Sequence, residues 1–318
     1  MTRARYVLAV LAAALFTLAL GIALGGGPLQ APVQSAVAAE PDVQGDGGEV
    51  TPAELAQRNR RLSRAQEYGS AFVDAVAPET LAGKLSGRSV VVLSLPGVPG
   101  QQADAVGEGV EAAGGKVTSS LSVGKDLVDP TARALVDELS SRLVPEIDNV
   151  DVPEDTPVYT RLGTVMSRAL LTTGDGGVAM DDTGRSVFNT FTTARLLRGP
   201  EPQQRASLAV VVLPEGGRTS PTTAARGTIL TEMATAMDEA GDGVVVAGPP
   251  SSAERGGLLA ALRAAPGASE RVSSVDTVDT SAGQAVSVLA LAEQAGGSTG
   301  HYGIAGSADA VMPGQAGE

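Results

Sequence analysis

The stretch that decides the fold is Ser89–Pro96, SVVVLSLP, together with its counterpart Ser207–Pro214, SLAVVVLP. Each run is apolar at consecutive positions instead of alternating with polar residues. That pattern is typical of strands buried on both faces, as in the middle of a parallel sheet that helices cover on either side.

Strand-like and helix-like runs alternate outward from these two segments. Further strands are predicted at Lys116–Val123, Gly243–Pro250 and Arg271–Val278. Helices are predicted at Gln101–Ala113, Thr131–Leu143, Pro157–Thr172, Thr183–Leu197, Ala224–Ala240, Glu254–Ala264 and Ala282–Ala295. The fold class is therefore α/β, a mostly parallel sheet with helices on both faces. A faint repeat of strand, helix, glycine and strand indicates either a duplicated half-domain or the ordinary pattern of βαβ units.

The N-terminal segment Tyr6–Gly25 has 20 residues and no charge. As a helix it would be roughly 30 Å long, the thickness of a bilayer core. Arg3 and Arg5 precede it and the next basic residue is Arg58, which predicts a transmembrane helix with the N-terminus in the cytoplasm. The alternative is a secretory signal cleaved after Ala38, but the apolar run is longer than such signals usually have.

A second helix is predicted to begin after Thr51, because Thr51, Pro52 and Glu54 form an N-terminal capping pattern. Leu55, Leu62, Gly69 and Val76 then recur every seven residues, as in a short coiled coil. This stalk helix either packs on its own domain, the favoured interpretation, or associates with a second copy. The predicted segments are a cytoplasmic tip (1–5), a transmembrane helix (6–25), a linker (26–50), the stalk (51–80), the α/β domain (81–297) and a flexible tail (298–318).

The overall composition excludes several classes of site. The net charge is −13, which argues against nucleic-acid binding because that depends on Lys and Arg contacts with phosphate. The chain has no cysteine, so it cannot form a disulfide, a cysteine nucleophile or a thiolate metal site.

Two glycine-rich motifs resemble functional loops. GGSTG at 296–300 matches the G-x-S-x-G motif of hydrolases, but it follows a helix instead of a strand. LPGVPG at 95–100 lacks the spacing of a nucleotide-binding loop and is interpreted as a turn. We therefore expect no catalytic residue, no cofactor-binding residue and no enzyme activity.

The residues that offer metal ligands are few. Met233 and Met237 share an apolar helix stripe and are expected in the core, as is Met166. Met180 and Met312 are expected to be exposed. Asp181 and Asp182 stand where a helix begins, so capping is the favoured role. The weak metal candidates are Met180, Asp181, Asp182 and the single histidine, His301, which is expected in the flexible tail.

Several segments together resemble the actinobacterial copper transport protein family (MctB-type). They are LALGIALGGGPLQ (18–30), the heptad helix, PETLAGKLSGRSVVVLSLPG (78–97), the helix ending in AEQ (292–294) and GHYG (300–303). The resemblance covers nearly the whole chain. It implies an envelope protein that limits intracellular copper, with copper as the transported ion and no tightly bound cofactor. The family's description as an outer-membrane channel also implies that location, but the resemblance assigns no functional residue.

Three functions follow from these observations. The first is copper homeostasis in the cell envelope, through transport or efflux. The second is a membrane-anchored scaffold that forms a homo-oligomer or an envelope complex. The third is an α/β enzyme or small-ligand binder, which fold class alone supports only weakly. Because one apolar helix cannot form a pore without oligomerising, a role as a component of a complex is expected.

Overall fold

A computed structural model describes residues 51–147, 150, 152–216 and 220–315. The chain divides into two compact units, the first ending at Thr80 and the second spanning Leu81–Glu318. The predicted cytoplasmic tip, transmembrane helix and linker all lie outside the described residues. Within the part that is described, no helix has both the length and the apolar character needed to cross a bilayer.

The segment predicted as a stalk contains a long helix, α1 (Pro52–Leu81). Its first turn is capped reciprocally, as the sequence predicts. The Thr51 amide donates to the Glu54 carboxylate at 2.9 Å, and the Glu54 amide donates to the Thr51 hydroxyl at 3.3 Å. Leu55 and Leu62 are 48% and 47% exposed. Whether they pair with a second copy remains a prediction.

The second unit contains a seven-stranded sheet in the order β4-β2-β1-β6-β7-β8-β9. Its six neighbouring strands from β2 to β9 run parallel, and the short β4 pairs antiparallel with β2 at one edge. A separate two-stranded sheet joins β3 to β5. The strand bounds are β1 (Ser89–Ser94), β2 (Lys116–Val123), β3 (Val178–Ala179), β4 (Leu197–Arg198), β5 (Gln204–Arg205), β6 (Leu208–Val212), β7 (Val244–Ala247), β8 (Ser273–Val275) and β9 (His301–Tyr302).

The helices of this unit cover both faces of the sheet. Val91 and Leu93 of β1 pack into a large core with the helices of one face, whereas α2 (Gly100–Ala112) and α10 (Ser281–Gln294) pack together on the other. The bounds are α2 (Gly100–Ala112), α3 (Arg133–Leu143), α4 (Val158–Leu170), α5 (Asp182–Thr193), α6 (Pro221–Ala240), α7 (Pro250–Ala253), α8 (Leu258–Arg263), α9 (Pro266–Ser269) and α10 (Ser281–Gln294). Three short 3-10 turns lie at Lys125–Leu127, Pro130–Ala132 and Val144–Glu146. The predicted α/β class with a mostly parallel sheet is confirmed.

Two predictions about the secondary structure of this unit were wrong. The segment from Ser298 is not simply a flexible tail, because His301 and Tyr302 form the last parallel strand and are buried. The helix predicted over Glu254–Ala264 begins only at Leu258. Gly256 interrupts it with a φ of +82°, a left-handed backbone conformation that glycine adopts readily.

Close packing between α4 and α6 depends on Gly163. A Cβ atom there would lie 2.9 Å from the Ala236 Cβ and 3.0 Å from the Met233 carbonyl oxygen. Gly107 in α2 has room, since its nearest neighbour, a Val117 methyl, would be 3.8 Å away.

We therefore expect Gly163→Ala to lower the free energy of unfolding by about 1–3 kcal/mol, the usual cost of overpacking. The control Gly107→Ala should be neutral or stabilise by up to about 1 kcal/mol, because alanine favours helices. Urea unfolding of the 51–318 region measures both. Equal effects of the two substitutions would contradict the close approach of α4 and α6.

Candidate functional site

The topological switch point of the sheet lies between β1 and β6, where parallel α/β folds usually bind ligands. The loops that leave these two strands touch each other there. Gly97 has a φ of +99°, and a Cβ atom at that position would lie 3.3 Å from the Cβ of Pro214. The Gly216 amide donates to the Ser251 hydroxyl at 2.8 Å, so a third loop closes on the same region. These contacts agree with the interpretation of LPGVPG as a structural turn.

Asp181, one of the weak metal candidates, is held by protein donors. It caps α5 by accepting a hydrogen bond from the Gly184 amide at 2.7 Å. The Arg168 guanidinium donates to both carboxylate oxygens, at 3.0 and 2.8 Å, and Arg205 lies at 3.7 Å. The hydrogen bonds from Arg168 are the main cause that holds the pKa of Asp181 below its usual range. The predicted capping role is confirmed.

The two neighbouring metal candidates, Asp182 and Met180, make different contacts. Asp182 is fully exposed and pairs with Arg185 at 2.9 Å. Met180 was expected to be exposed, but it is only 7% exposed. A Cβ atom on Gly184 would come 2.6 Å from the Met180 sulfur, so the thioether packs against the start of α5.

The remaining methionines follow the sequence interpretation more closely. Met166, Met233 and Met237 belong to the hydrophobic core, as predicted. Met233 and Met237 also line a small apolar cavity with Leu93 and Val211 beneath the sheet. Met312 is half-buried. The thioethers of α6 therefore serve packing.

The sequence predicts His301 in a flexible tail, and this prediction is wrong. It lies in β9, paired in parallel with Ser274 of β8, and is 8% exposed. Its backbone amide donates to the Asp309 carboxylate at 2.9 Å. The strand was missed because two residues are too few to show any periodicity.

His301 belongs to a buried polar group that we call the C-terminal cluster: Arg263, Ser274, Asp276, His301 and Tyr302. Arg263 of α8 and Asp276 after β8 form an ion pair at 2.9 Å, with their side chains 3% and 0% exposed. The same guanidinium donates to the Ser274 hydroxyl at 2.8 Å and to the Tyr302 carbonyl at 3.1 Å. One arginine thus fastens α8 to β8 and β9, the last two strands at one edge of the sheet.

The Asp276 carboxylate is also bound by the chain that follows β9. The amides of Ile304 and Ala305 donate to its two oxygens at 2.8 and 3.3 Å. The chain can pass this close to Asp276 because residue 303 is a glycine. It has a φ of +133°, and a Cβ atom there would lie 2.0 Å from a carboxylate oxygen of Asp276. Both oxygens of Asp276 are therefore occupied by protein donors, as buried carboxylates require.

The cluster places the Ser274 hydroxyl against the His301 ring. The Nε–H of Arg263 donates to this hydroxyl at 2.8 Å, and the hydroxyl oxygen lies 2.9 Å from His301 Nδ1. The neutral form of the ring can accept the hydroxyl proton at Nδ1, whereas the charged form cannot. Burial is the main cause that lowers the pKa of His301, and the nearby charge of Arg263 adds to it; Asp309 and the Ser269 backbone act in the opposite direction.

The Tyr302 side chain connects the cluster to α10. Its hydroxyl donates to the Glu293 carboxylate of α10. Burial, followed by this hydrogen bond, raises the pKa of Tyr302. The residue links the last strand to a helix that covers the sheet.

Three buried side-chain oxygens lie outside all of these networks. They make no hydrogen bond with any described residue, and they belong to the hydroxyls of Tyr159 and Ser167 in α4 and to the carboxylate of Glu232 in α6. Burial raises the pKa of Tyr159, and the Arg133 guanidinium lies 5.9 Å from its ring centre. Buried oxygens of this kind are commonly satisfied by ordered water.

The structure does not bring the sequence-predicted candidates together. Met180, Asp181 and Asp182 lie at the start of α5, while His301 lies in the last strand of the sheet. Across the described ranges, no three His, Cys, Asp or Glu side chains converge as a metal site would require. Sequence reasoning missed Arg263 and Asp276; the available signal was a lone charge ending an apolar helix and another following a buried strand.

Comparison with known proteins identifies the family. Residues 1–313 match the family described as "Copper transport outer membrane protein, MctB". The chain belongs to this family. The match begins at residue 1, so it includes the apolar N-terminal run as well as the α/β domain.

Relatives of this MctB family member occur in mycobacteria. The "Copper transporter MctB" proteins of Mycobacterium tuberculosis (strain ATCC 25618 / H37Rv) and Mycobacterium bovis are each 27% identical over 319 residues, covering 96% of this chain and 97% of theirs. The protein of the same name from Mycobacterium leprae is 27% identical over 241 residues, covering 71% of this chain and 74% of its own.

The C-terminal cluster predicts a large stability effect. We expect Arg263→Met to lower the free energy of unfolding by about 3–5 kcal/mol, because it leaves Asp276 buried without its counter-ion. The matched control is Arg271→Met, which breaks the exposed pair with Glu239 and should cost less than about 1 kcal/mol. Denaturant unfolding of the 51–318 region measures both. Similar losses for the two variants would contradict the structural role of the cluster.

His301 also predicts a pH dependence. Its pKa is lower in the folded protein than in the unfolded chain, so its contribution to stability is complete above the unfolded pKa of about 6.5 and declines as the pH falls below it. Asp238 acts oppositely, because burial raises its pKa to about 6 and acidification then favours the folded state.

The variant His301→Asn isolates the histidine, since its amide oxygen still accepts from Ser274 but does not titrate. Between about pH 7.5 and pH 5, we expect the wild type to lose more unfolding free energy than this variant does. The contribution of Asp238 is common to both proteins and cancels. Parallel pH profiles would show that His301 is not held neutral.

Proposed function

We propose that this protein acts in copper handling in the bacterial cell envelope and helps to limit intracellular copper. The observation that carries the proposal is the family match over residues 1–313, together with relatives named copper transporters that align over 96% of the chain. Alignment at both ends favours a shared role over a shared fold alone.

We further propose that the chain is a single-pass envelope protein with its α/β domain outside the cytoplasm. The uncharged run Tyr6–Gly25 and the preceding Arg3 and Arg5 support this orientation. An outer-membrane location is a narrower version of the same proposal, supported by the wording of the family description. A reporter enzyme fused to the C-terminus tests this orientation. A reporter that works only in the cytoplasm should be inactive in the fusion, and activity there would contradict an α/β domain outside the cytoplasm.

The proposed role is not enzymatic. Ser298 of the GGSTG motif lies between the end of α10 and the start of β9, whereas a hydrolase nucleophile sits on a turn from strand to helix. The candidate carboxylate Asp181 and the buried Asp276 are both engaged with arginines. A component that works with copper as cargo and holds no tightly bound cofactor fits these side chains.

Growth over a copper series tests the proposal directly. A strain lacking this chain should stop growing at lower copper concentrations than the parent and should contain more copper per cell. Restoring the full chain should reverse both effects, and a parallel zinc series serves as the control. Equal growth and equal copper content in the two strains would contradict copper handling. A defect independent of copper would favour the scaffold instead.

Self-association through α1 is a second proposal, supported by the exposure of Leu55 and Leu62 one heptad apart. Leu62→Asp should reduce chemical cross-linking between copies in membranes, because it places a charge in an apolar seam. The neighbouring Ser63→Asp adds the same charge away from that seam and should leave cross-linking unchanged. Equal cross-linking of both variants would exclude α1 as the contact.

A further inference from the structure

The first half of α1 carries a concentrated positive charge in an otherwise acidic chain. The eight residues 57–64, QRNRRLSR, hold four arginines and no acidic residue, whereas the whole chain has a net charge of −13. All four arginines are exposed. None of them makes an ion pair with a residue that the structure describes, unlike Arg168, Arg161 and Arg263 of the second unit.

Three of these arginines share one side of the helix. Arg60 and Arg64 are four residues apart, Arg61 and Arg64 three, and residues at such spacings are neighbours on a helix surface. Tyr68 lies four residues after Arg64 on the same side and is 72% exposed. We call this the basic face: Arg60, Arg61, Arg64 and Tyr68. Leu55 and Leu62 occupy the opposite side.

The basic face brings like charges together on the helix. Like charges three or four residues apart repel each other, as in the pairs Arg60–Arg64 and Arg61–Arg64, and the single carboxylate of Glu67, three residues after Arg64, can offset only part of this repulsion. Solubility gives no reason for this arrangement, since scattered charges of either sign would serve equally well. A negatively charged partner outside the chain would attract all of these arginines and offset the repulsion between them.

A second copy is a poor partner for this face. Two α1 helices that paired through this face would place positive charges against positive charges. Any pairing of α1 helices should therefore use the leucine side. A lipid surface has the required chemistry. Anionic headgroups attract clustered arginines near a membrane, and tyrosine is enriched at the boundary between headgroups and water.

The position of α1 in the sequence suits this partner. Only 25 residues, 26–50, separate the proposed transmembrane run from Thr51. A glycine-rich linker of that length has an end-to-end distance of roughly 30 Å. We infer that the basic face of α1 docks on the anionic phospholipid headgroups of the membrane in which the chain is anchored. This inference rests on the proposed single-pass anchor.

Electron paramagnetic resonance on the full chain tests the inference. Because the protein has no cysteine, Gln57→Cys provides a single attachment point for a nitroxide on the side of the basic face, and Gln66→Cys provides one on the leucine side. The chain is reconstituted in bilayers of phosphatidylcholine alone or with phosphatidylglycerol. Two spectral components give the ratio of docked to free helix.

In anionic bilayers at low salt, we expect this ratio at position 57 to be roughly tenfold higher than in neutral bilayers, and the difference to disappear near 1 M salt. Position 66 should change much less. The triple variant Arg60→Gln, Arg61→Gln and Arg64→Gln should abolish the difference. The control triple Lys84→Gln, Arg142→Gln and Arg198→Gln removes the same charge from exposed sites and should preserve it.

Equal ratios in the two lipids, or equal losses in the two triple variants, would overturn the inference. Spectral broadening that depends on protein density and not on lipid charge would assign the face to another copy. Flotation separates this question from the anchor. Protein that floats with neither lipid contradicts both proposals, and protein that floats only with anionic vesicles contradicts the anchor alone. Protein that floats with both supports the anchor and leaves the decision to the spectra.

Discussion

The rest of the α/β domain depends on the parallel pairing of β1 and β6 in the middle of the sheet. All five residues of β6 and the first five of β1 are buried, so neither face of this pair can meet water. The hydrophobic effect then requires helices on both sides. Parallel strands also need crossover connections, and those connections are the helices that provide the cover. Two runs of valine and leucine thereby determine the layering of the whole domain.

The strongly periodic segments are the ones that sequence reasoning located well. The five long strand runs and most helices appear within a few residues of their expected bounds, since burial imposes an unmistakable pattern on them. Short elements were not predicted, because they contain too few residues to show a periodic pattern. β9 is two residues long, and the polar side chains that hold it and the chain after it, Arg263 and Asp276, lie far from it in sequence. The exposure of Met180 was misjudged because the glycine that receives its sulfur, Gly184, gives no local signal.

Charge is distributed differently in the two units. In the α/β domain, Arg161, Arg168 and Arg263 each hold a carboxylate in place and fasten one element to another. The arginines of α1 have no such partner among the described residues, and they are clustered where they repel one another. Structural arginines and interaction arginines can therefore be separated by their contacts. In a family whose members are named for copper transport, this division directs attention to the helix as the interacting element and to the domain as a stable body.

A copper titration against a strong copper(I) chelator tests most directly the central claim that this protein handles copper without a ligand site of its own in the α/β domain. Soft copper(I) sites need thiolates or thioethers; the chain has no cysteine, and Met166, Met180, Met233 and Met237 are all buried. The titration should use the isolated 51–318 region and the full chain in membranes. The account predicts no stoichiometric copper retained by the isolated region. One copper ion per chain surviving the competitor in that region would contradict it.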